Sequence, residues 1–140
     1  MVQLLEALKY LHKHKIVHRD LKLDNFFLGE NLDIKIGDFG LAAEVNHRPR
    51  KTICGTPNYI APEIMESKNG YSYEVDVWSL GVTVYLLLYG HYPFENSDSK
   101  SITSRINAKT YLINPSLSDM AKNFISRMLQ TKPQDRWTVK

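Results

Sequence analysis

Four polar side chains in the first third of this 140-residue sequence have the types and spacing that suit phosphate chemistry. The carboxylate of Asp20 can accept the proton of a hydroxyl group, and Lys22, two residues later, can neutralise charge on a phosphate. Asn25 and Asp38 offer the hard oxygen ligands that Mg²⁺ takes where it bridges nucleotide phosphates. Phosphoryl transfer depends mainly on positioning and charge neutralisation, so this set of side chains suits that reaction.

The elements that position these residues are predicted to be mostly helical. A helix is expected from the first residues, because apolar side chains follow helical spacing there at Val2, Leu5, Leu8 and Leu11, with Leu4 beside them. The segment from Phe26 to Ile36 predicts a β-hairpin, since an apolar run, a Gly-Glu-Asn turn and an alternating strand follow one another. The fold class predicted is mainly α with a small β-hairpin.

Further helices are expected after a long loop. Residues 37–62 show no sustained periodicity, and a loop of this length inside a domain is usually functional. A helix is predicted over 74–89 with Gly90 as its C-cap, and a short one, capped by Ser97 or Asp98, through Asn107. Residues 116–119 resemble a capping box, followed by apolar residues expected on one helical face, namely Met120, Phe124, Ile125, Met128 and Leu129.

The composition excludes several classes of protein. Hydrophobic residues at 43% and charged residues at 24% are typical of a globular domain. The net charge of +3 is too small to indicate nucleic acid or an anionic membrane as a partner. Cys54 is the single cysteine, which excludes an intrachain disulfide and favours a packing role. The chain is therefore predicted to be intracellular, in the cytoplasm, the nucleus or both.

Three short motifs occur in a fixed order along the chain. His18 to Asn25 fits H-R-D-L-x-x-x-N, and Asp38-Phe39-Gly40 begins thirteen residues after Asn25. Ala61-Pro62-Glu63 follows. In this order and spacing the motifs resemble the catalytic loop, metal-binding loop and activation segment of protein kinases, and the resemblance extends over essentially the whole chain.

The resemblance implies a role for each polar residue of the site. Asp20 would be the catalytic base, and Lys22 would contact the transferring phosphate of ATP. Asn25 and Asp38 would hold Mg²⁺ and, through it, the nucleotide phosphates. The implied cofactors are ATP and Mg²⁺, and Lys22 at its position points to serine or threonine as the acceptor.

Five further residues match structural roles of that family. His18 and Phe39 would pack in the spine beneath the active site. Asp76 resembles the buried aspartate that hydrogen-bonds the catalytic-loop backbone. Glu63 and Arg136 resemble the family's buried ion pair.

A finer resemblance is to the polo-like serine/threonine kinases, carried by the segment from Cys54 to Glu63. Thr52 lies where that family has its activating phosphothreonine, and Arg19 is the kind of arginine that such a phosphate pairs with. The alternative interpretation of Thr52 is a solvated loop threonine. Thr56 is the competing hydroxyl, and it is expected to bond the catalytic Asp20 and its neighbouring lysine.

Two residues depart from the polo-like pattern. Asp24 stands where that group tends to have a small residue, and an acid there is expected to favour basic substrates. Trp137 replaces the usual proline after Arg136, which affects the last turn of the chain.

The whole chain, 1–140, is predicted to be a partial kinase domain corresponding to the large, C-terminal lobe. It comprises a catalytic loop at 18–25, a metal-binding loop at 38–40, an activation segment at 38–63 and a helical subdomain at 74–140. No Gly-x-Gly pair precedes the catalytic loop, so the small lobe is expected to be absent and the chain to be a fragment.

Two functions remain open at this stage. The first is a serine/threonine kinase acting on protein substrates, itself activated by an upstream kinase, with neither nucleic acid nor membrane as a partner. The alternative is a catalytically inactive, kinase-like binding module that lacks the nucleotide-binding lobe.

Overall fold

The computed structural model describes residues 1–45, 49–66, 70–94, 106 and 111–139. Its helices are α1 (Val2–Lys13), α2 (Pro62–Glu66), α3 (Glu74–Tyr89) and α4 (Asp119–Met128). Its strands are β1 (Ile16–Val17), β2 (Phe26–Leu28), β3 (Ile34–Ile36) and β4 (Ala43–Glu44). Short 3₁₀ turns cover Leu23–Asn25, Pro57–Tyr59 and Pro133–Asp135.

These elements agree with a mainly helical fold carrying a small hairpin. The short helix expected from Ser97 or Asp98 to Asn107 lies outside the described residues, apart from Ile106. Among the described residues, no helix has the length and apolar character needed to cross a bilayer.

The central element of the fold is α3, whose predicted bounds and C-cap are confirmed. Every residue from Val75 to Tyr85 is buried, so this helix is covered on all sides rather than along one face. It ends where Gly90 adopts the left-handed conformation with φ 74°, which glycine allows at no steric cost. The Asp76 carboxylate lies in the first turn of α3 and is completely buried.

Helices α1 and α4 pack beside α3 with two differences from the sequence prediction. The buried face of α1 is formed by Leu4, Leu8 and Leu11, and Val2 is 74% exposed. Met120 in α4 is 83% exposed, so its placement with the apolar face was wrong. At 100° per residue Met120 lies about 140° around the helix from buried Ile125, which turns it to solvent.

The N-terminus of α4 has the cap that its sequence predicts. The Ser118 hydroxyl accepts a hydrogen bond from the Ala121 backbone N–H at 3.3 Å. Such a cap satisfies one of the free N–H groups of the first turn.

The predicted hairpin is confirmed as β2 paired antiparallel with β3, with Phe26 opposite Ile36. The pairing continues beyond the strands, because the Gly37 N–H donates to the Asn25 carbonyl at 2.9 Å. A second ribbon, β1 with β4, pairs Ile16 with Glu44 inside the region that the sequence analysis left as a loop. The two ribbons bracket the predicted catalytic loop on both sides.

An ion pair joins α2 to the C-terminal segment. The Arg136 guanidinium donates to both carboxylate oxygens of Glu63, at 2.5 and 2.6 Å, and its side chain is fully buried. The same guanidinium also lies 4.9 Å from the centre of the Trp78 ring in α3. This residue therefore connects three separate elements of the fold.

We predict that Gly81→Ala in α3 destabilises the protein by about 1–3 kcal/mol, as overpacked cores typically do. A Cβ at Gly81 would lie 2.8 Å from the Met128 Cβ and 3.0 Å from a methyl carbon of Leu129. Helix propensity alone predicts the opposite sign, a gain of about 1 kcal/mol. Urea unfolding measures the difference, with Leu87→Ala in the exposed last turn of the same helix as the control. A stabilised Gly81→Ala protein would contradict the close packing of α3 on α4.

Candidate active site

The Asp20 carboxylate lies at the centre of a closed set of polar contacts. One oxygen accepts hydrogen bonds from the Thr56 backbone N–H at 2.9 Å and from the Thr56 hydroxyl at 2.7 Å. The other oxygen is 3.1 Å from the Lys22 ammonium, which also donates to the Thr56 hydroxyl at 3.0 Å. The expected contacts of Thr56 with Asp20 and Lys22 are therefore present, and they join the catalytic loop to the activation segment.

These contacts set the charge of Asp20. Burial raises the pKa of this carboxyl, but the hydrogen bonds from Thr56 and Lys22, with the lysine's positive charge, hold the pKa below its ordinary value. The carboxylate is therefore ionised at neutral pH and able to accept a hydrogen bond from an incoming hydroxyl group. Because its pKa is lower in the folded state, this ionised form stabilises the fold above the unfolded pKa, and the contribution is lost as pH falls through the folded pKa.

The catalytic-loop backbone is held by the buried carboxylate of Asp76, as the resemblance implied. Its two oxygens accept the backbone N–H groups of His18 and Arg19, both at 2.9 Å. The ring Nε2 of His12 in α1 donates to the same carboxylate at 3.0 Å. Arg19 has φ 70°, a left-handed conformation that non-glycine residues seldom adopt. The backbone turn just before Asp20 is thus held in a strained form by two hydrogen bonds to one side chain.

The hairpin brings Asn25 and Asp38 to the same end of the site. The Asn25 side-chain amide donates to the Asp20 carbonyl at 2.9 Å and is buried, which fixes its orientation. The Gly37 N–H bonds the Asn25 carbonyl, so Asp38 follows directly after a residue paired with Asn25. Asp38 is exposed, has φ 56°, and accepts a hydrogen bond from the Gly40 N–H.

His18 makes polar contacts that its expected packing role did not include. Its Nδ1 accepts the Asp20 backbone N–H at 3.3 Å, and its Nε2 donates to the Gly37 carbonyl at 3.0 Å. These two bonds define which nitrogen carries the proton, and they connect the catalytic loop to the metal-binding loop. The predicted packing against Phe39 is also present, edge to face with ring centres 4.9 Å apart.

Arg19 and Thr52 lie close together but are not in direct side-chain contact. The Arg19 Nε donates to the Leu41 carbonyl at 2.5 Å, and its Nη1 donates to the Tyr71 hydroxyl at 3.1 Å. The Tyr71 hydroxyl in turn donates to the Thr52 carbonyl at 2.6 Å. The Thr52 side chain is exposed, as a modification site requires.

Tyr71 and Phe27 are site neighbours that the sequence reasoning missed. Tyr71 is 3% exposed and lies 52 residues from Arg19 in sequence, so no local pattern could reveal the contact. Phe27 on β2 is 56% exposed, and its ring packs against Gly37, where a Cβ would lie 2.6 Å from the ring. The sequence did contain a signal for Phe27, namely an aromatic residue at a position of the predicted strand that faces solvent.

A bound cation would take its protein ligands from Asn25 and Asp38. Within the described ranges, no three His, Cys, Asp or Glu side chains group together as a complete metal site. Two oxygen ligands with further ligands from phosphate and water match the way proteins hold Mg²⁺ on a nucleotide. The donor set present therefore fits Mg²⁺ carried by a nucleotide.

Comparison with known proteins agrees with this geometry. The sequence profile of the protein kinase domain matches residues 1–140. The chain belongs to the protein kinase family.

Its relatives are named as serine/threonine kinases. The chain is 53% identical over 139 residues to a probable serine/threonine-protein kinase, CCRP1, of Zea mays, covering 96% of this chain and 22% of that protein. It is 51% identical to a probable serine/threonine-protein kinase, PLK, of Dictyostelium discoideum, covering 96% and 14%. It is 47% identical to the serine/threonine-protein kinase polo of Drosophila melanogaster, covering 96% and 23%. The chain thus spans less than a quarter of the length of these curated relatives.

We predict that Thr56→Val raises the pKa of Asp20, because it removes the hydroxyl that donates to the carboxylate while it keeps the backbone N–H. The change can be measured by ¹³C NMR titration of the Asp20 side-chain carboxyl. Thr52→Val is the matched control, since Thr52 makes no side-chain bond to Asp20 in the part of the chain that the structure describes. An unchanged pKa in Thr56→Val would show that the threonine hydroxyl does not set the charge of the site.

Proposed function

We propose that this chain is the catalytic large lobe of a polo-like serine/threonine protein kinase, which transfers the γ-phosphate of ATP to hydroxyl groups of protein substrates. The observation that carries the proposal is the ionised Asp20 carboxylate held between Thr56 and Lys22. The Oδ2 atom, which contacts only Lys22 among the described residues, has a lone pair left to accept the hydrogen bond of a substrate hydroxyl, while the lysine beside it supplies positive charge.

The proposed step is an in-line displacement at phosphorus. The substrate hydroxyl oxygen forms a bond to the γ-phosphorus, and the bond from that phosphorus to the β–γ bridging oxygen breaks, so ADP leaves. The hydroxyl proton passes to Asp20. Lys22 lies 3.1 Å from that carboxylate, so its charge is available to the transferring phosphoryl group as negative charge is shared between donor and acceptor.

The nucleotide is proposed to lie against the hairpin. Asn25 and Asp38 at the base of β2 and β3 would hold Mg²⁺, whose charge neutralises the phosphates. Phe27, an exposed ring on the same hairpin, offers an apolar surface for the base. The residues that would complete this nucleotide site belong to a small lobe, which we propose lies in the same protein.

The boundaries proposed for the large lobe follow the motifs: catalytic loop 18–25, metal-binding loop 38–40, activation segment 38–63 and helical subdomain 74–140. We place this kinase inside the cell, in the cytoplasm or nucleus, with protein substrates and an upstream kinase as its partners. Such an upstream kinase would act on Thr52, which is exposed and lies next to Lys51. Arg48, Arg50 and Lys51 precede Thr52 in the sequence and would offer such a kinase positive charge just before its target; Arg48 lies outside the described residues.

We predict that Asp20→Asn lowers phosphate transfer by about 10²–10⁴-fold in the kinase that contains this chain, the usual range for loss of a general base. Transfer of labelled phosphate from Mg²⁺-ATP to a serine- or threonine-containing protein measures the effect. Asp33→Asn, an exposed carboxylate next to β3, is the matched control and is expected to leave activity unchanged. Absence of transfer by the unaltered protein would instead favour the non-catalytic binding module.

We predict that Asp24 directs the kinase to substrates with a basic residue near the acceptor hydroxyl. This carboxylate is exposed in the turn between Lys22 and Asn25, and it makes no ion pair within the described ranges. Asp24→Asn should lower kcat/KM for a lysine- or arginine-containing peptide by about 10-fold, the worth of one charge-assisted contact, and leave a neutral peptide unchanged. Equal losses on both peptides would contradict a role in selection.

A further inference from the structure

Tyr71 connects the two segments that carry the proposed phosphate switch. Its hydroxyl accepts a hydrogen bond from Arg19 of the catalytic loop at 3.1 Å and donates one to the carbonyl of Thr52 at 2.6 Å. The Arg50 backbone N–H donates to the Tyr71 carbonyl at 3.0 Å, and the Tyr71 backbone N–H donates to the Arg50 carbonyl at 2.8 Å. The Tyr71 side chain is 3% exposed, so these bonds are protected from water.

We propose that Tyr71 is a positioning residue, which holds Arg19 and the activation segment together in the state where Thr52 carries no phosphate. The proposal rests on the proposed kinase function only for its effect on activity. The hydrogen bonds themselves do not depend on that function.

The hydroxyl group is suited to this task because it bonds on both sides at once. A phenol has one proton to donate and lone pairs to accept, and here the proton goes to Thr52 while a lone pair takes the Arg19 N–H. Burial raises the pKa of Tyr71, and the hydrogen bond from Arg19 only partly opposes it, so the phenol keeps the proton that it donates. A phenylalanine would fill the same space and make neither bond.

The position of these bonds explains why they matter for the site. Arg19 precedes Asp20 directly, and Thr52 lies four residues before Thr56, which donates to the Asp20 carboxylate. Tyr71 therefore forms a second connection between the activation segment and the catalytic loop, in addition to the hydrogen bond of Thr56 to Asp20. Loss of the hydroxyl leaves residues 52–55 held by the backbone pairing of Arg50 with Tyr71 on one side and by Thr56 on the other, without the bond at Thr52.

Phosphate on Thr52 would offer Arg19 a stronger partner. An arginine–phosphate contact joins two opposite charges and can be bidentate, whereas the Tyr71 hydroxyl offers the arginine one neutral acceptor. We therefore expect the Tyr71 hydroxyl to matter most before phosphorylation, and little after the phosphate has taken over the arginine.

The first test uses hydrogen–deuterium exchange on the kinase that contains this chain. In Tyr71→Phe, peptides covering residues 50–56 should exchange about 10-fold faster or more, because the variant loses the hydrogen bond from the charged Arg19 and the one to the Thr52 carbonyl. Arg19→Lys removes only the bond from Arg19 and keeps the Tyr71 hydroxyl on the Thr52 carbonyl, so it should speed exchange in the same peptides by a smaller factor. Tyr10→Phe, which alters an exposed tyrosine of α1, is the control and should change nothing.

The second test measures activity in the kinase that contains this chain. Before phosphorylation, Tyr71→Phe should lower kcat/KM by about 10-fold. After phosphorylation of Thr52, the kcat/KM of the variant should lie within about two-fold of that of the unaltered protein. The activation by phosphorylation, which is kcat/KM after phosphorylation divided by kcat/KM before it, should therefore be about ten-fold larger in Tyr71→Phe than in the unaltered protein. A purely structural defect would lower both states alike.

The outcomes separate this inference from the proposed function. Unchanged exchange over 50–56 in both variants, or a loss of protection spread over the whole chain, overturns the positioning role. Equal loss of activity in both phosphorylation states also overturns it. An unaltered protein without transferase activity refutes the proposed kinase reaction, and the exchange experiment then decides the role of Tyr71.

Discussion

A single buried carboxylate, Asp76, holds the backbone on which the site is built. A left-handed residue other than glycine costs about 1–2 kcal/mol, and Arg19 has that conformation immediately before Asp20. Two backbone N–H groups donating to one carboxylate offset that cost, and they direct the chain so that Asp20 meets Thr56. The His12 ring also donates to this carboxylate, so its buried oxygens have three hydrogen-bond donors.

Much of the fold was predictable because its signals are local. The hairpin, the bounds of α3 and the Ser118 cap each depend on residues that are neighbours in sequence. The ribbon of β1 with β4 was missed, since strands of two residues carry no periodicity. Met120 was misplaced because an apolar type was taken as evidence of burial, although its helical angle turns it outward.

The candidate site divides in the same way. The resemblance to kinases implied a contact between Asp20 and Thr56, and that contact is present. Tyr71 could not be predicted, because its bond to Arg19 forms only when the turn before α3 packs against the catalytic loop. The polar bonds of His18 were missed for a related reason, since a motif gives a residue type but not the carbonyl that it will face.

The contacts that shape the site join residues far apart along the chain. His18 and Asp76 are 58 residues apart, and Glu63 and Arg136 are 73 residues apart. During synthesis on a ribosome, which proceeds from the N-terminus at about 5–20 residues per second, the catalytic loop emerges several seconds before its supporting aspartate. The loop and the apolar face of α1 are therefore uncovered during translation, a period in which a chaperone can bind them. The contacts that hold the finished site therefore cannot form until the later residues, Asp76 and then Arg136, have been made.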